Sequence, residues 1–401
     1  MRNKKKLERE ALHSIEEKIG SLNRGDLLGY SNEDARAQLF ALETEKAKLL
    51  RQKEEDWRLK SRAIWLQAYD ENTKFFQQHA NGRKATNTIW ELFDRNGFTA
   101  KTHAQLTELG TRHFSNLYRA STIINLPDIL RITQNFKLFV EQEQKDDLNA
   151  PVTLGELEGV LKWFKRDKSP GPDGWPIEFF IHFFDLISAD LLAMIEDSRV
   201  RGRIYDGFKT TFIAVIPKLD KTTSFNEFRP ISLCNCIYKI ISKIIANRIK
   251  PFLSTHIEKE QFAFLNHRQI HEAIGTAQEA LHSIKTLRLE STILKIDLTK
   301  AFDQVDWSYL HLILIHSGFP HTFINWIMGC ICHATFSILI NGTASDFFHA
   351  GWGLRQGFPL HHYYLSSSWR ASLCLSIMLK KGDYYRGSRS MIIYISLTFY
   401  L

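Results

Sequence analysis

The run Ser169-Pro170-Gly171-Pro172-Asp173-Gly174 sets the first limit on what this chain can fold into. Two prolines and two glycines in six residues sustain neither a helix nor a central strand, so the run is a loop. Helical patterns flank it over 154–166 and 175–200. Beyond it, 211–218 reads as a short strand that leads through a polar turn to Phe228-Arg229-Pro230-Ile231-Ser232-Leu233. A strong helix follows over 237–249, with apolar residues at 237, 240, 241, 244 and 245. The β-rich stretch 292–296 ends at Asp297 and is followed by a helix over 307–316. Finally, 336–340, Asn341-Gly342 and a second extended run predict a β-hairpin on an Asn-Gly turn.

Upstream, residues 1–60 read as two helices. Leu12, Ile15, Ile19 and Leu22 recur at helical spacing, and Leu39, Leu42 and Leu49 continue the stripe after a break at 23–30. Ser31 and Asp34 predict a capping box at the second start. Between 53 and 76 the chain turns basic and aromatic, through Trp57, Arg58, Arg62, Trp65, Lys74 and Phe75, as an amphipathic helix with a solvated face would. The polar stretch 141–147 reads as a connector.

Composition narrows the class. With 44% hydrophobic and 24% charged residues over 401 positions, the chain is globular rather than disordered. Lys and Arg number 52 against 44 Asp and Glu, a balance that leans toward a polyanionic partner. Cys234, Cys236, Cys330, Cys332 and Cys374 form two Cys-x-Cys pairs and one single, which fits neither a disulfide framework nor the usual zinc spacing. Reduced, packed thiols in an intracellular protein are expected. The charged start lacks the apolar core of a signal peptide, and the run 391–401 is too short to span a bilayer, so no membrane partner is expected.

A carboxylate at the C-terminal end of a buried strand is held by the sheet yet open to solvent, as a magnesium ligand must be. Asp297, with the Leu298 carbonyl and a nucleotide triphosphate, would supply the hard oxygens that Mg²⁺ needs. Alone, such an Asp is more often a turn initiator. It stands in company, however: Pro170-Gly171-Pro172-Asp173-Gly174, Ile216-Pro217-Lys218, Phe228-Arg229-Pro230-Ile231-Ser232-Leu233, Tyr238-Lys239-Ile240, Gln261-Phe262-Ala263-Phe264, Lys295-Ile296-Asp297 with Lys300-Ala301-Phe302-Asp303, and Gly353-Leu354-Arg355-Gln356-Gly357-Phe358-Pro359-Leu360. This ordered series closely resembles the reverse transcriptase of non-LTR (LINE-type) retrotransposons, particularly those of plants. Ser61-Arg62-Ala63-Ile64-Trp65-Leu66 and Asn72-Thr73-Lys74-Phe75-Phe76 resemble the segment that precedes that domain in plant elements.

The resemblance implies an α+β right-hand polymerase with fingers and a partial palm, preceded by an α-helical region and without its thumb. It divides the chain into a helical region at 1–120, a connector at 121–150, fingers and partial palm at 151–360, and a divergent tail at 361–401. The implied partners are an RNA template, a DNA primer and deoxynucleotides, and the implied location is the nucleus or a ribonucleoprotein. The implied chemistry is two-metal nucleotidyl transfer with Mg²⁺, the ions about 3.5–4 Å apart. Asp297 matches the first metal carboxylate, and Leu298 offers its carbonyl as a further ligand. Phe302 matches the steric gate against a ribose 2′-hydroxyl. Lys218 and Arg229 match cations of the fingers that meet the triphosphate, where Arg offers bidentate donors. Gln356 and Gly357 match the motif beside the nucleotide and template, where glycine permits close backbone approach.

The match stops at His361. Phe358 stands where the family has cysteine, and no aromatic-Ala-Asp-Asp hairpin follows; Asp383 is the sole acid between His361 and Leu401. A lone Asp297 cannot hold two Mg²⁺ ions, and the palm strand would lack the hairpin that normally pairs beside it. The expectation is therefore an inactive chain whose tail is out of frame or wrongly joined, and poorly packed. A non-catalytic nucleic-acid-binding remnant and a helical interaction protein are the alternatives.

Overall fold

The computed structural model describes residues 2–25, 33–61, 85–94, 96–119, 140–256, 270–288, 291–295, 300, 303–355 and 390–394, with isolated residues elsewhere. Two compact units divide between Thr88 and Ile89. The first holds α1 (Arg2–Gly25) and α2 (Glu33–Ser61). Ile15 on the predicted stripe is buried, and Lys46 pairs with Glu16 at 3.1 Å, so the two helices pack on each other. Ser31 and residues 62–77 lie outside the described residues.

The second unit opens with a short ribbon, β1 (Leu92–Phe93) and β2 (Thr99–Ala100), and then α3 (His103–Leu117). Thr102 caps α3 through a reciprocal box: its hydroxyl accepts from Gln105 N at 3.3 Å, and Gln105 Oε1 accepts from Thr102 N at 3.1 Å. Next come α4 (Gln142–Asn149), α5 (Leu154–Trp163), α6 (Ile177–His182) and α7 (Phe184–Arg201). The single helical pattern expected over 175–200 is two helices, because Phe183 leaves helical backbone at φ −101°, ψ 16°.

The polar stretch 141–147, expected as connector, is mostly helix, and the reason lies far away in sequence. Glu141 N donates to Gln144 Oε1 at the start of α4. At its end, Arg248 Nη1 donates to the Leu148 and Ala150 carbonyls at 3.1 and 2.6 Å, and Arg199 Nη1 to the Asn149 carbonyl at 2.8 Å. Arginines from two other helices thus satisfy the carbonyls that a helix end leaves free.

The main sheet follows: β3 (Thr210–Pro217), β4 (Phe228–Cys234), and, after α8 (Cys236–His256), α9 (Ile270–Thr286), β5 (Ser291–Lys295), α10 (Trp307–His316) and α11 (His321–Ile331), the strands β6 (Thr335–Ile340), β7 (Thr343–Ala344) and β8 (Phe348–His349). Its order is β4-β3-β6-β7, with β8 also on β6. β3 and β4 are antiparallel, whereas β3 and β6 are parallel. Pro230 is tolerated because β4 is the edge strand. Asn341 (φ 51°) and Gly342 (φ 86°) both take positive φ, as the predicted two-residue hairpin requires.

Two cores flank this sheet. One joins α3 to the sheet through Leu106, Phe114, Ile213, Phe336 and Ile338. The other gathers α4 to α8, α10 and α11 around Ile195, Ile240, Ile244 and Trp326. The apolar spacing of α8 reports its buried face, since Ile240, Ile241, Ile244 and Ile245 are all buried.

β5 does not go unpaired. It runs parallel to β9 (Ser390–Tyr394), with Ile293 opposite Ile392. At these five residues the tail, expected to be poorly packed, forms a regular ladder instead, because main-chain pairing needs only extended backbone and not the family's hairpin.

Candidate functional site

The β3–β4 hairpin presents the first two predicted cations. The Lys218 amide donates to the Glu227 carbonyl at 2.8 Å, which closes the hairpin end. Phe225 anchors the intervening turn in the core, its ring 5.8 Å from Phe114 and 5.7 Å from Phe228. Within the turn, the Thr223 amide donates to the Glu227 carboxylate, and this bond holds Glu227 below the ordinary glutamate pKa. Lys218 Nζ donates to the Asn226 carbonyl at 3.2 Å, and Lys300 Nζ donates to Asn226 Oδ1 at 3.1 Å. Lys218 and Lys300, 82 positions apart in the numbering, therefore meet at one turn residue. Arg229 lies opposite Ile216 in the ladder and is half-buried. Cross-strand partners share a face, so Arg229 stands on the Ile216 side of the ribbon.

The Pro-Gly loop docks on the start of α8. A side chain at Gly171 would meet Asn235 Oδ1 at 2.3 Å and Asn235 N at 2.4 Å, so only glycine fits. Asn235 Oδ1 accepts from Asp173 N at 3.1 Å, and its Nδ2 donates to the Gly207 carbonyl at 3.0 Å. One buried amide thus ties the loop to the residues that lead into β3. Burial raises the Asp173 carboxyl, opposed by the Trp175 amide and the Lys239 charge.

Asp297, Leu298, Phe302, Gln356 and Gly357 lie outside the described residues. Asp303, directly after Phe302, and Arg355, directly before Gln356, are described, and the segments that hold them converge. Tyr118, just past α3, donates its hydroxyl to Asp303 Oδ1 at 2.8 Å, and both residues are buried. The Tyr118 carbonyl accepts from Gly351 N at 2.8 Å, and the Leu117 carbonyl from Trp352 Nε1 at 2.7 Å. Gly353 N donates to the Val305 carbonyl at 2.8 Å, and Trp307 Nε1 donates to the Gly353 carbonyl at 2.9 Å. Gly353 has φ 85° and no room for a side chain, which would fall 2.6 Å from the Asp303 carbonyl and 3.1 Å from the Tyr118 ring. Burial, then the Asp303 charge, raises the Tyr118 pKa well above its ordinary value, so the hydroxyl stays a donor.

Arg355 anchors the other end of that segment. Nη1 donates to the Cys330 carbonyl at 2.9 Å and Nη2 to the Lys209 carbonyl at 3.0 Å. Its guanidinium lies 4.1 Å over the Tyr238 ring, whose hydroxyl also donates to the Cys330 carbonyl. Residue 355 is thereby fixed to α8, α11 and the approach to β3, directly before Gln356. Asn226, Asn235, Tyr118 and Arg355 carry this geometry, and sequence reasoning gave none of them a role. Asn235 and Tyr118 are single polar residues without periodicity, legible only through partners distant in the chain.

The described residues do not by themselves make a magnesium site. No group of three His, Cys, Asp or Glu side chains is placed to hold an ion among them. Asp303, the nearest described carboxylate in sequence to Asp297, is buried and accepts the Tyr118 hydroxyl. Cys234, Cys236, Cys330 and Cys332 are free thiols, and burial pushes Cys236 and Cys332 up to about 11. They are packed groups rather than nucleophiles. No described helix is long and apolar enough to cross a membrane.

Residues 216–363 match the family model described as reverse transcriptase (RNA-dependent DNA polymerase). Across 331 residues, 81% of the chain, it is 27% identical to the Transposon TX1 uncharacterized 149 kDa protein of Xenopus laevis. Across 227 residues, 56% of the chain, it is 21% identical to a retrovirus-related Pol polyprotein from type-1 retrotransposable element R2 of Popillia japonica. It is also 27% identical, over 53% of its length, to the RNA-directed DNA polymerase from mobile element jockey of Drosophila melanogaster. The chain covers 25%, 30% and 23% of those three proteins respectively. Residues 216–363 thus resemble a reverse transcriptase domain, and the chain is similar to proteins of retrotransposable and other mobile elements.

Proposed function

We propose that this chain is the fingers and partial palm of a plant-type non-LTR retrotransposon reverse transcriptase, with a nuclear or ribonucleoprotein location. In this reading it binds an RNA template, a DNA primer and a deoxynucleotide, but does not extend the primer by itself. The observation that carries the reading is the match over 216–363, the span that includes Lys218, Arg229, Asp297, Leu298, Phe302, Gln356 and Gly357. Lys218, exposed at the end of the β3–β4 hairpin, and the half-buried Arg229 meet the triphosphate. Phe302 excludes the 2′-hydroxyl, and Gln356 and Gly357 lie along the nucleotide and template.

Mg²⁺ would stabilise the charge that develops at the phosphates. Asp297 and the Leu298 carbonyl are the atoms proposed to face it. The residues from His361 to Leu401 offer only Asp383 as a further acidic side chain, and the proposed activity therefore stops at binding.

Two measurements test the proposal. Filter binding to an RNA–DNA hybrid should show affinity that falls steeply with salt, as phosphate contacts require; failure to bind would refute the nucleic-acid role. Primer extension in Mg²⁺ should give no incorporation. Incorporation that disappears in Asp297→Ala would show instead that the chain is a working polymerase.

A further inference from the structure

We propose that Tyr118, which lies upstream of the reverse transcriptase match, is a positioning residue for nucleotide selection by that domain. The inference rests on the reading of the chain as a reverse transcriptase, and it follows from three geometric facts.

First, the Tyr118 hydroxyl holds the carboxylate of Asp303, the residue directly after Phe302, at 2.8 Å. Second, the Tyr118 carbonyl holds Gly351 N at 2.8 Å, on the segment that leads through Arg355 to Gln356. Third, a side chain at Gly353 would fall 2.6 Å from the Asp303 carbonyl and press on the Tyr118 ring at 3.1 Å, while Gly353 N bonds back to Val305 O at 2.8 Å. One tyrosine therefore ties together the two segments that carry Phe302 and Gln356-Gly357.

The tie is well made. Tyr118 and Asp303 are each 1% exposed, and the Tyr118 ring packs 4.7 Å from Phe336 in the sheet core. A buried hydrogen bond to a carboxylate is among the stronger ones and orients what it holds. A selection step that depends on where an aromatic gate stands is sensitive to displacements well under the size of the hydroxyl it must exclude. Loosening Asp303, next in the chain to Phe302, should relax selection before it weakens nucleic-acid binding. This separates a positioning role from a purely structural one, in which binding of template, deoxynucleotide and ribonucleotide would all decline together.

The test uses the whole chain bound to an RNA template and a dideoxy-terminated DNA primer in Mg²⁺ buffer. Fluorescence titration gives the affinities for the next deoxynucleoside triphosphate and for its ribonucleotide counterpart. The native chain should prefer the deoxynucleotide, and Tyr118→Phe should shrink that preference roughly tenfold, the scale of one buried bond to a charged group. In the double variant the preference should fall no further than in Asp303→Ala alone, because without the carboxylate the Tyr118 hydroxyl has no Asp303 bond left to lose.

An unchanged ratio in Tyr118→Phe would overturn the proposal. Losses that multiply in the double variant, or a native chain without preference, would do the same. If Tyr118→Phe does not fold, Trp352→Phe removes the neighbouring tie to Leu117 and is read by the same ratio. A native chain that binds no template–primer defeats the reverse transcriptase reading itself, whereas intact binding with an unchanged ratio defeats only the role of Tyr118.

Discussion

The β4-β3-β6-β7 sheet and the β5–β9 pair are built from the same kind of backbone bond but are held in different ways. In the sheet, β3 is flanked on both sides, and residues such as Ile213, Ile338 and Ile340 are fully buried. Two cores flank it, and one of them takes in the helix end that Arg199 and Arg248 cap. The pair is a separate two-stranded sheet, five residues long on each side, and one strand comes from beyond the residues 216–363 that match the family model. The contrast teaches that a family fold is carried by packing from many sequence positions. A strand outside that packing can still pair with an extended segment distant in its own chain.

The largest blow to the well-held side should come from Trp326→Ala. Trp326 is fully buried and donates Nε1 to Ser198 Oγ at 3.1 Å, with Phe323 edge-on at 6.1 Å. Removing a buried aromatic of this kind costs about 3–5 kcal/mol. Chemical denaturation should register that loss. Hydrogen exchange at 291–295 should stay as it was, because a two-stranded pair opens locally at lower free energy than the packed core. A matching change at both places would mean that sheet and pair form one cooperative body.

What the sequence discloses follows the same divide. The α10 range, the Asn341-Gly342 hairpin and the apolar face of α8 depend on neighbours within a few residues, and all three are readable from spacing alone. The helix at Gln142–Asn149 escapes notice because Arg199 and Arg248 stabilise its end from 50 and 100 positions away. β9 escapes because parallel pairing with β5 leaves no local signature. At the candidate site, Lys218 and Arg229 stand on the β3–β4 hairpin, a strand and turn legible in the sequence. Tyr118 and Asn235 are different: their importance is a property of the partners the fold brings to them.

A smaller effect is expected at the loop docked on the well-held side. Gly171→Ala would press a methyl group onto backbone atoms, Asn235 N at 2.4 Å and the Cys234 carbonyl carbon at 2.6 Å. Backbone cannot swing aside as a side-chain tip can, so about 1–3 kcal/mol should be lost as the loop shifts. Protease cleavage within 169–174 should rise while β3 amides stay protected. Unchanged cleavage would show that the loop is not held by Asn235.

Next in size is a pH effect at Glu196. Burial works to raise its pKa, but the Arg199 bond, the Val152 amide and the charges of Arg199 and Arg248 outweigh it and hold the carboxyl below 4.5. Because the folded pKa is lowered, the unfolded chain binds more protons between the two values. The contribution is present in full above about the ordinary glutamate pKa and is lost as pH falls through the folded one. For a pair with side chains 16% and 24% exposed, it is about 1 kcal/mol. Glu196→Gln should therefore flatten the acid limb of a stability-against-pH curve and leave its slope near neutrality alone. An acid limb of unaltered steepness would place the proton uptake elsewhere.

The least costly change to global stability bears most directly on the contrast between sheet and pair. In a parallel ladder, successive residues point their N–H and C=O alternately toward and away from the neighbouring strand. Ile392 and Ile393 of β9 lie opposite Ile293 and Leu294, so one of them donates toward β5 and the other away from it. Proline deletes the donor at either position, but only one deletion removes a ladder bond. Of Ile392→Pro and Ile393→Pro, one should expose the 291–295 amides to exchange, and the other should do so far less. Neither should alter the denaturation midpoint or the protection of 210–217. If both leave 291–295 protected, β9 is not the strand that holds β5. If both also lower the midpoint, the pair belongs to the same cooperative body as the sheet, and the contrast between the two regions does not hold.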